Sequence, residues 1–337
     1  MKRSLSTLAA AAVAFGLALH PGAPAEAQNR AVVNNDTGAT SLKGQTWDHF
    51  RTLVGEKLGD SFTVDVLHGE ALYNQMTMID ALQLNAIQFI APVVGVYSST
   101  FPKMTALVLP YLLPSPEAIR EAMEHPDVGG ALLEDLRRLD IEPVAVWLNG
   151  PRDIGTTAEN PILWPDDVRG VRIRVPPGRN YVDAFEILGA NPTTMAWGEV
   201  PTALRQGVID AVEPVPNAWL SSGLYEIARQ YSQTGYIWDF YVVATNKTWW
   251  EGLDPVVRQA LEEAMEETTE WNWTNTERVN QEALDKMAAA GTVIHDLTDE
   301  QRQAWADAVR PLWDTLGVEL VGQETMNLLI EIGDRHR

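Results

Sequence analysis

The chain is 337 residues long, room for about two ordinary domains, and its 45% hydrophobic and 21% charged residues give a globular rather than a disordered balance. Lys and Arg number 25 against 46 Asp and Glu, a formal net charge of −21, which argues against nucleic acid as a partner because phosphate binding needs a basic face. The lack of any cysteine excludes disulfides, zinc–thiolate sites, iron–sulfur clusters and thiol nucleophiles.

In chain order, Lys2 and Arg3 precede an apolar run from Leu8 to Leu19, and the segment closes on Ala25-Glu26-Ala27. A charged head, a run too short to span a bilayer and a small-residue exit predict a secretory signal peptide over residues 1–27, and with it a periplasmic destination. Cleavage removes Lys2, Arg3 and Glu26, so the net charge moves from −21 to −22. A lipid anchor needs a cysteine after the apolar run, and no later segment reaches 18 uncharged apolar residues, so the expected product is not membrane-anchored.

Residues 30–33 read as a strand followed by the polar loop 34–38, and Trp47, Phe50, Val54 and Leu58 mark a helix. A strand is expected over 62–67, a helix through Leu72, Met76, Ile79 and Leu82, and a strand over 88–94. Ser115-Pro116 opens further helices and 141–148 is another strand. The second half repeats the style. Strands are expected at 171–175, 208–212 and 241–244, with helices at 181–188 and 200–206. From Asp254 helical periodicity runs to Gly291, on the order of 50 Å and longer than one domain of this size. The capping box Thr298-x-x-Gln301 starts a last helix, closed near Gly317. Strands alternating with helices imply an α/β class with mostly parallel sheets.

Catalytic and cofactor motifs are missing. The sequence contains no Gly-x-Gly, no Gly-x-Ser-x-Gly, no Gly-Lys pair and no Ser-x-x-Lys. The six histidines never fall at His-x-His or His-x-x-x-His spacing, so neither a metal ion nor any other cofactor is expected. The chain is therefore expected not to be an enzyme; an exported α/β enzyme is the remote alternative.

The informative stretch runs from Gly150 to Pro216. Arg172 and Arg174 alternate with Val171, Ile173 and Val175, which puts both arginines on one face of a strand. In a cleft such a guanidinium is a forked donor for a carboxylate; the residues alone fit an edge strand with two solvated arginines equally well. Around it lie Leu109-Pro110-Tyr111, Gly150-Pro151-Arg152, Asp167-x-x-Gly170-x-x-x-Arg174-Val175-Pro176, Gly189-Ala190-x-Pro192, Glu199-Val200-x-x-Ala203-Leu204-x-x-Gly207-x-x-Asp210 and Thr245-Asn246-Lys247. In this order and spacing the elements resemble the DctP-type solute-binding proteins of tripartite ATP-independent periplasmic (TRAP) transporters, over essentially the whole chain after the signal peptide.

The resemblance implies a Venus-flytrap of two α/β lobes with mixed sheets, joined by crossing strands and a long helix that leans on both. It places lobe I at residues 28–150 plus about 242–285, and lobe II at 151–241 plus about 286–337. It implies capture of a small organic carboxylate and delivery to a membrane permease for sodium-coupled uptake, by a protein that is by family default a monomer; service to a sensor or an ABC permease is the alternative. The family's carboxylate-binding arginine falls on Arg174 and a supporting arginine on Arg152. Where many members carry a contacting Asn, this sequence has Pro214 after Glu213, with Asn217 three residues on as a candidate substitute. That departure points to a ligand other than the family's commonest acids. Asn34, Asn35 and residues 88–93 are expected to open onto the cleft from the first lobe, and Trp197, Glu213, Trp238 and Phe240 from the second. Glu213 is also where some members hold a cation, and an aromatic lining favours an aromatic or cyclic acid or a zwitterion.

Overall fold

The computed structural model describes residues 29–337; the expected signal peptide lies outside the described residues. The chain forms β1 (Arg30–Asn34), α1 (Leu42–Leu58), β2 (Thr63–Leu67), α2 (Met78–Gln83), β3 (Phe89–Ile90), α3 (Pro116–Glu124), α4 (Ala131–Arg137) and β4 (Ile141–Thr156). The second half comprises β5 (Arg172–Val175), α5 (Arg179–Ile187), β6 (Asn191–Thr194), α6 (Val200–Arg205), β7 (Ala211–Val212), α7 (Pro216–Ser221) and β8 (Gln230–Asn246). It ends with α8 (Lys247–Glu251), α9 (Pro255–Ala289), β9 (Val293–Asp296), α10 (Asp299–Val309) and α11 (Val318–Arg335).

The strands are linked in the order β2-β1-β3-β8-β4-β7-β5-β6, with β9 also on β8. β4 and β8 are the two long members, and they run antiparallel to each other from Ile141↔Asn246 to Thr156↔Gln230. One end of this ribbon carries β3, β1 and β2, the other carries β7, β5, β6 and β9. Both strands therefore belong to both halves, and the architecture is two-lobed α/β with a mixed sheet. The sequence shows only the apolar ends of these strands, 141–148 and 241–244, because polar residues such as Asn149, Arg152 and Asp239 occupy their crossing region.

α9 is one 35-residue helix that packs on α1, β4 and α7. Its buried stripe is polar in the middle: Thr268, Asn272, Thr276 and Asn280 recur every four residues. These side chains engage the crossing strands. Asn272 accepts from Leu148 N (2.7 Å) and donates to Leu148 O (3.2 Å), and Asn280 donates to Asn149 O (2.9 Å). Gly150 follows with a φ of 126°, and a Cβ there would sit 2.4 Å from Asn280 Nδ2. Only glycine lets the strand pass this close to the helix.

Three elements differ from expectation. Residues 69–77 are loop, so the helix expected from Leu72 shrinks to α2; turn hydrogen bonds at Asn74, whose Oδ1 accepts from Met76 N, compete with helix. β3 stops at Ile90, since a bridge at Val93 and a 3-10 turn over Val94–Ser99 take over. Gly317 does not close the last helix. It lies in helical backbone, packs under Met326, and leads into α11, which is kinked at Gly322. The segment 94–113, expected in the first lobe, leans on the second: Asn180 of α5 donates to Val108 O (3.0 Å), and Tyr111 N donates to Tyr236 O (2.7 Å). α11 packs on this segment and on α3.

Candidate functional site

At the crossing of β4 and β8 a small cavity of about 30 Å³, room for about two waters, lies between the halves. Asp36, Thr37, Lys43, Gln75 and Val93 line it from the first lobe, and Arg174, Pro176, Trp197, Pro214, Val215 and Ala218 from the second. Asn149, Arg152 and Tyr241 of the long strands complete it. A larger open groove of about 950 Å³ lies between α3, α4 and α9, but six glutamates line it against the single Arg120, which rests on Trp273. That lining repels anions, so the cavity rather than the groove is the candidate site for an acid.

Three buried cations face one another here, and they differ in their partners. Arg152 is held on both sides: Nε and Nη2 donate to Glu213 (2.5 and 2.8 Å) and Nη1 to Asp239 Oδ2 (2.6 Å). Burial works to lower its pKa, and the two carboxylates outweigh burial and hold it above its ordinary value. Lys43 is equally saturated, by Asp36, by Ala91 O (3.0 Å) and by the face of Tyr241 (4.4 Å). Arg174 is different. It donates to Met195 O from Nε and Nη2 (3.1 and 2.7 Å) and to Gln75 Oε1 (3.1 Å), all neutral acceptors. No carboxylate stands within ion-pair distance of Arg174 among the described residues, although its side chain is 1% exposed. Burial pushes its pKa down to about 10, aided by the charge of Arg152 and opposed by Glu213 and Glu70, so it remains a cation at neutral pH.

The strand explains the contrast between its two arginines. Arg172 and Arg174 do share a face of β5, but Arg172 stands at the strand's open end in an exposed pair with Asp210 (2.5 Å), while Arg174 reaches the interior. Trp197 lies over the Arg174 guanidinium (5.2 Å) and walls it from solvent.

Contacts between the halves span the cavity. Arg174 reaches Gln75, and Gln75 Nε2 donates to Asp36 Oδ2 (2.7 Å), so a chain of hydrogen bonds joins Arg174 to the Lys43–Asp36 pair. Glu70 accepts from Gly198 N (3.1 Å), and Asn217 Oδ1 from Leu42 N (3.3 Å).

These observations give the architecture and, in the cavity lining, one cation without a contacting carboxylate, and the chain's relatives give the family. Residues 33–319 match DctP, bacterial extracellular solute-binding protein, family 7. The chain belongs to this family. The DctP of Rhodobacter capsulatus, a C4-dicarboxylate-binding periplasmic protein, is 31% identical over 286 residues, 84% of this chain and 85% of the relative. A TRAP periplasmic solute-binding protein from Shewanella oneidensis, solved with bound succinate, superposes with a TM-score of 0.86 at 23% identity, covering 90% of this chain and 99% of that one. One from Chromohalobacter salexigens, solved with bound D-glucuronate, gives a TM-score of 0.82 at 27% identity over 90% and 99%.

In this DctP-family chain the residues singled out by sequence fall into three groups. Arg174, Arg152 and Trp197 line the cavity. Glu213, Asn217 and Asn35 are buried behind the wall and occupied with protein: Glu213 by Arg152 and Tyr236, and Asn217 by Leu42 and Asn280. Asn35 bonds Thr37 and His68 and shapes the turn that carries Asp36 and Thr37. Both oxygens of Glu213 are taken by Arg152, and Pro214, Val215 and Ala218, not Asn217, line the cavity on that side. Phe240 is core and Trp238 lines an outer groove with Trp273. Successive strand residues alternate faces, and it is Tyr241 that lines the cavity.

Asp36, Lys43, Gln75, Asn149 and Tyr241 escaped the sequence reading. Lys43 carried a signal, because it sits in register with Trp47, Phe50 and Val54 on the apolar stripe of α1. A lysine in such a stripe needs a buried partner. Gln75 carried none.

Proposed function

We propose that this chain is the periplasmic solute-binding component of a TRAP transporter and that Arg174 holds the carboxylate of a small organic acid between the lobes. The observation that carries this is the buried Arg174 guanidinium with only neutral protein partners beside the doubly paired Arg152. A buried cation lacking a counter-charge is costly, and a carboxylate ligand supplies one through charge-assisted, forked hydrogen bonds. The R. capsulatus relative is named for C4-dicarboxylates and the C. salexigens structure holds D-glucuronate, both carboxylates.

The ligand enters when the lobes part and Gln75 releases Arg174; reclosure excludes water and strengthens the contact. Arg152 acts here as a structural support. We further assign residues 1–27 as a cleaved signal peptide, the lobes as joined at β4 and β8, and the partner as a sodium-coupled membrane permease served by a monomer. No helix among the described residues is long and apolar enough to cross a membrane. Titration calorimetry with a panel of mono- and dicarboxylates tests the reading: an acid binds and is recovered intact. Chemical conversion of that acid, or binding that survives Arg174→Met, would overturn it.

A further inference from the structure

We infer that the ligand is a polyhydroxy monocarboxylate, of the aldonic or uronic acid class, rather than a dicarboxylate or a zwitterion. The inference rests on Arg174 as the carboxylate anchor and extends it to the rest of the molecule held there. Three features of the cavity carry it.

The first is the charge balance. Arg152 is neutralised by Glu213 and Asp239, and Lys43 by Asp36, which leaves Arg174 as the one cation of the cavity wall without a contacting carboxylate. One carboxylate of the ligand finds a partner. A second would find no unpaired cation in the lining, whose one acidic residue is Asp36, a costly placement of a buried charge.

The second is the kind of hydrogen bonding left over. Asn149 is 4% exposed and lines the cavity; its Nδ2 donates to Asp239 Oδ2 (3.0 Å), which fixes the amide so that Oδ1 is the acceptor side. Asn149 Oδ1, buried, has no protein donor. A buried acceptor without a donor is destabilising, and this one calls for an O–H group on the ligand. A carboxylate is acceptor-only and cannot serve it.

The third concerns the aromatic faces. Trp197 is covered by Arg174 (5.2 Å), Tyr241 by Lys43 (4.4 Å) and Tyr181 by Arg152 (5.3 Å). Each ring beside the cavity already carries a cation of the protein, so a ligand ammonium finds no ring face of its own.

A calorimetric comparison on the full-length mature protein tests the proposal with two pairs of probes and a zwitterion. D-gluconate against hexanoate varies the hydroxyls at constant carbon number and charge; a site built to bind hydroxyls favours gluconate by about a hundredfold or more. D-glucuronate against succinate varies the second charge, and is expected to bind at least tenfold tighter. Ectoine probes the zwitterion class and is expected not to bind. Hexanoate equal to gluconate, succinate or L-malate equal to or tighter than gluconate and glucuronate, or tight binding of ectoine would each overturn the ligand class while leaving Arg174 as anchor intact. Binding of a hydroxy acid undiminished in Arg174→Met would instead defeat the anchor, and failure of every acid to bind would defeat both.

Discussion

Substituting the two cavity arginines separately gives opposite results if their roles are as assigned. Arg152→Met strands Glu213 and Asp239, both 0% exposed, without their shared cation. Removing one partner of a buried pair costs about 3–5 kcal/mol. With an unfolding entropy of ~0.6 kcal/mol/K for a chain of this length, the ligand-free midpoint falls by about 5–8 °C. Arg174→Met removes a cation that has no contacting carboxylate, keeps most of the volume, and loses three hydrogen bonds to neutral groups. Its ligand-free midpoint stays within ~2 °C of the parent, while binding weakens by about 2–5 kcal/mol, the range for truncating a buried, hydrogen-bonded charge pair. Scanning fluorimetry without ligand and calorimetry with the best acid read the two quantities independently. A binding loss under about tenfold for Arg174→Met, or 1.4 kcal/mol, refutes the assignment. So does an Arg152→Met protein as stable as the parent.

Three further outcomes follow from the packing. Asp153 is wholly buried and burial pushes its carboxyl up to about 7, against a hydrogen bond from Gly235 N (2.9 Å). The folded state thus holds a proton that the unfolded chain releases near 3.8; this contribution to stability is complete below that pH and is lost as pH rises through 7. Asp153→Asn should therefore gain on the parent between pH 5 and 8 in melting midpoint by a few degrees, and parallel pH profiles would count against it. Asn272→Leu leaves Leu148 N–H and C=O without their α9 partner and should cost about 2–5 kcal/mol in urea unfolding; a loss below ~1 kcal/mol contradicts the stitching of α9 to the crossing strands. Gly150→Ala meets Asn280 and a positive φ together, and a loss of more than ~1 kcal/mol is expected by the same measurement.

Much of the fold was legible because periodicity and punctuation report it locally. The stripe of α1, the long α9 and the capping box at Thr298 all stand where their residues predict. Elements governed by distant partners were not legible. β4 and β8 extend past their apolar ends because each polar residue there has a partner far along the chain, such as Arg152 on Glu213 and Asp239. α11 follows a glycine that fits under Met326 rather than capping a helix. The site divides in the same way. Arg174 was visible from its alternation on β5 and its motif, whereas its lack of a carboxylate partner, the double pairing of Arg152 and the arrival of Gln75 from a loop are properties of three-dimensional assembly.

The charge of the chain takes on a narrower meaning in this light. At a formal net charge of −21, the protein repels anions at long range, so capture depends on contacts inside a closing cavity from which salt and water are excluded. A crystal structure of the protein with its tightest-binding acid tests the central claim most directly. The account predicts a ligand carboxylate within hydrogen-bonding distance of the Arg174 guanidinium, with Arg152 still on Glu213 and Asp239. A carboxylate seated on Arg152 or Lys43, with Arg174 left on Met195 O and Gln75, would contradict it.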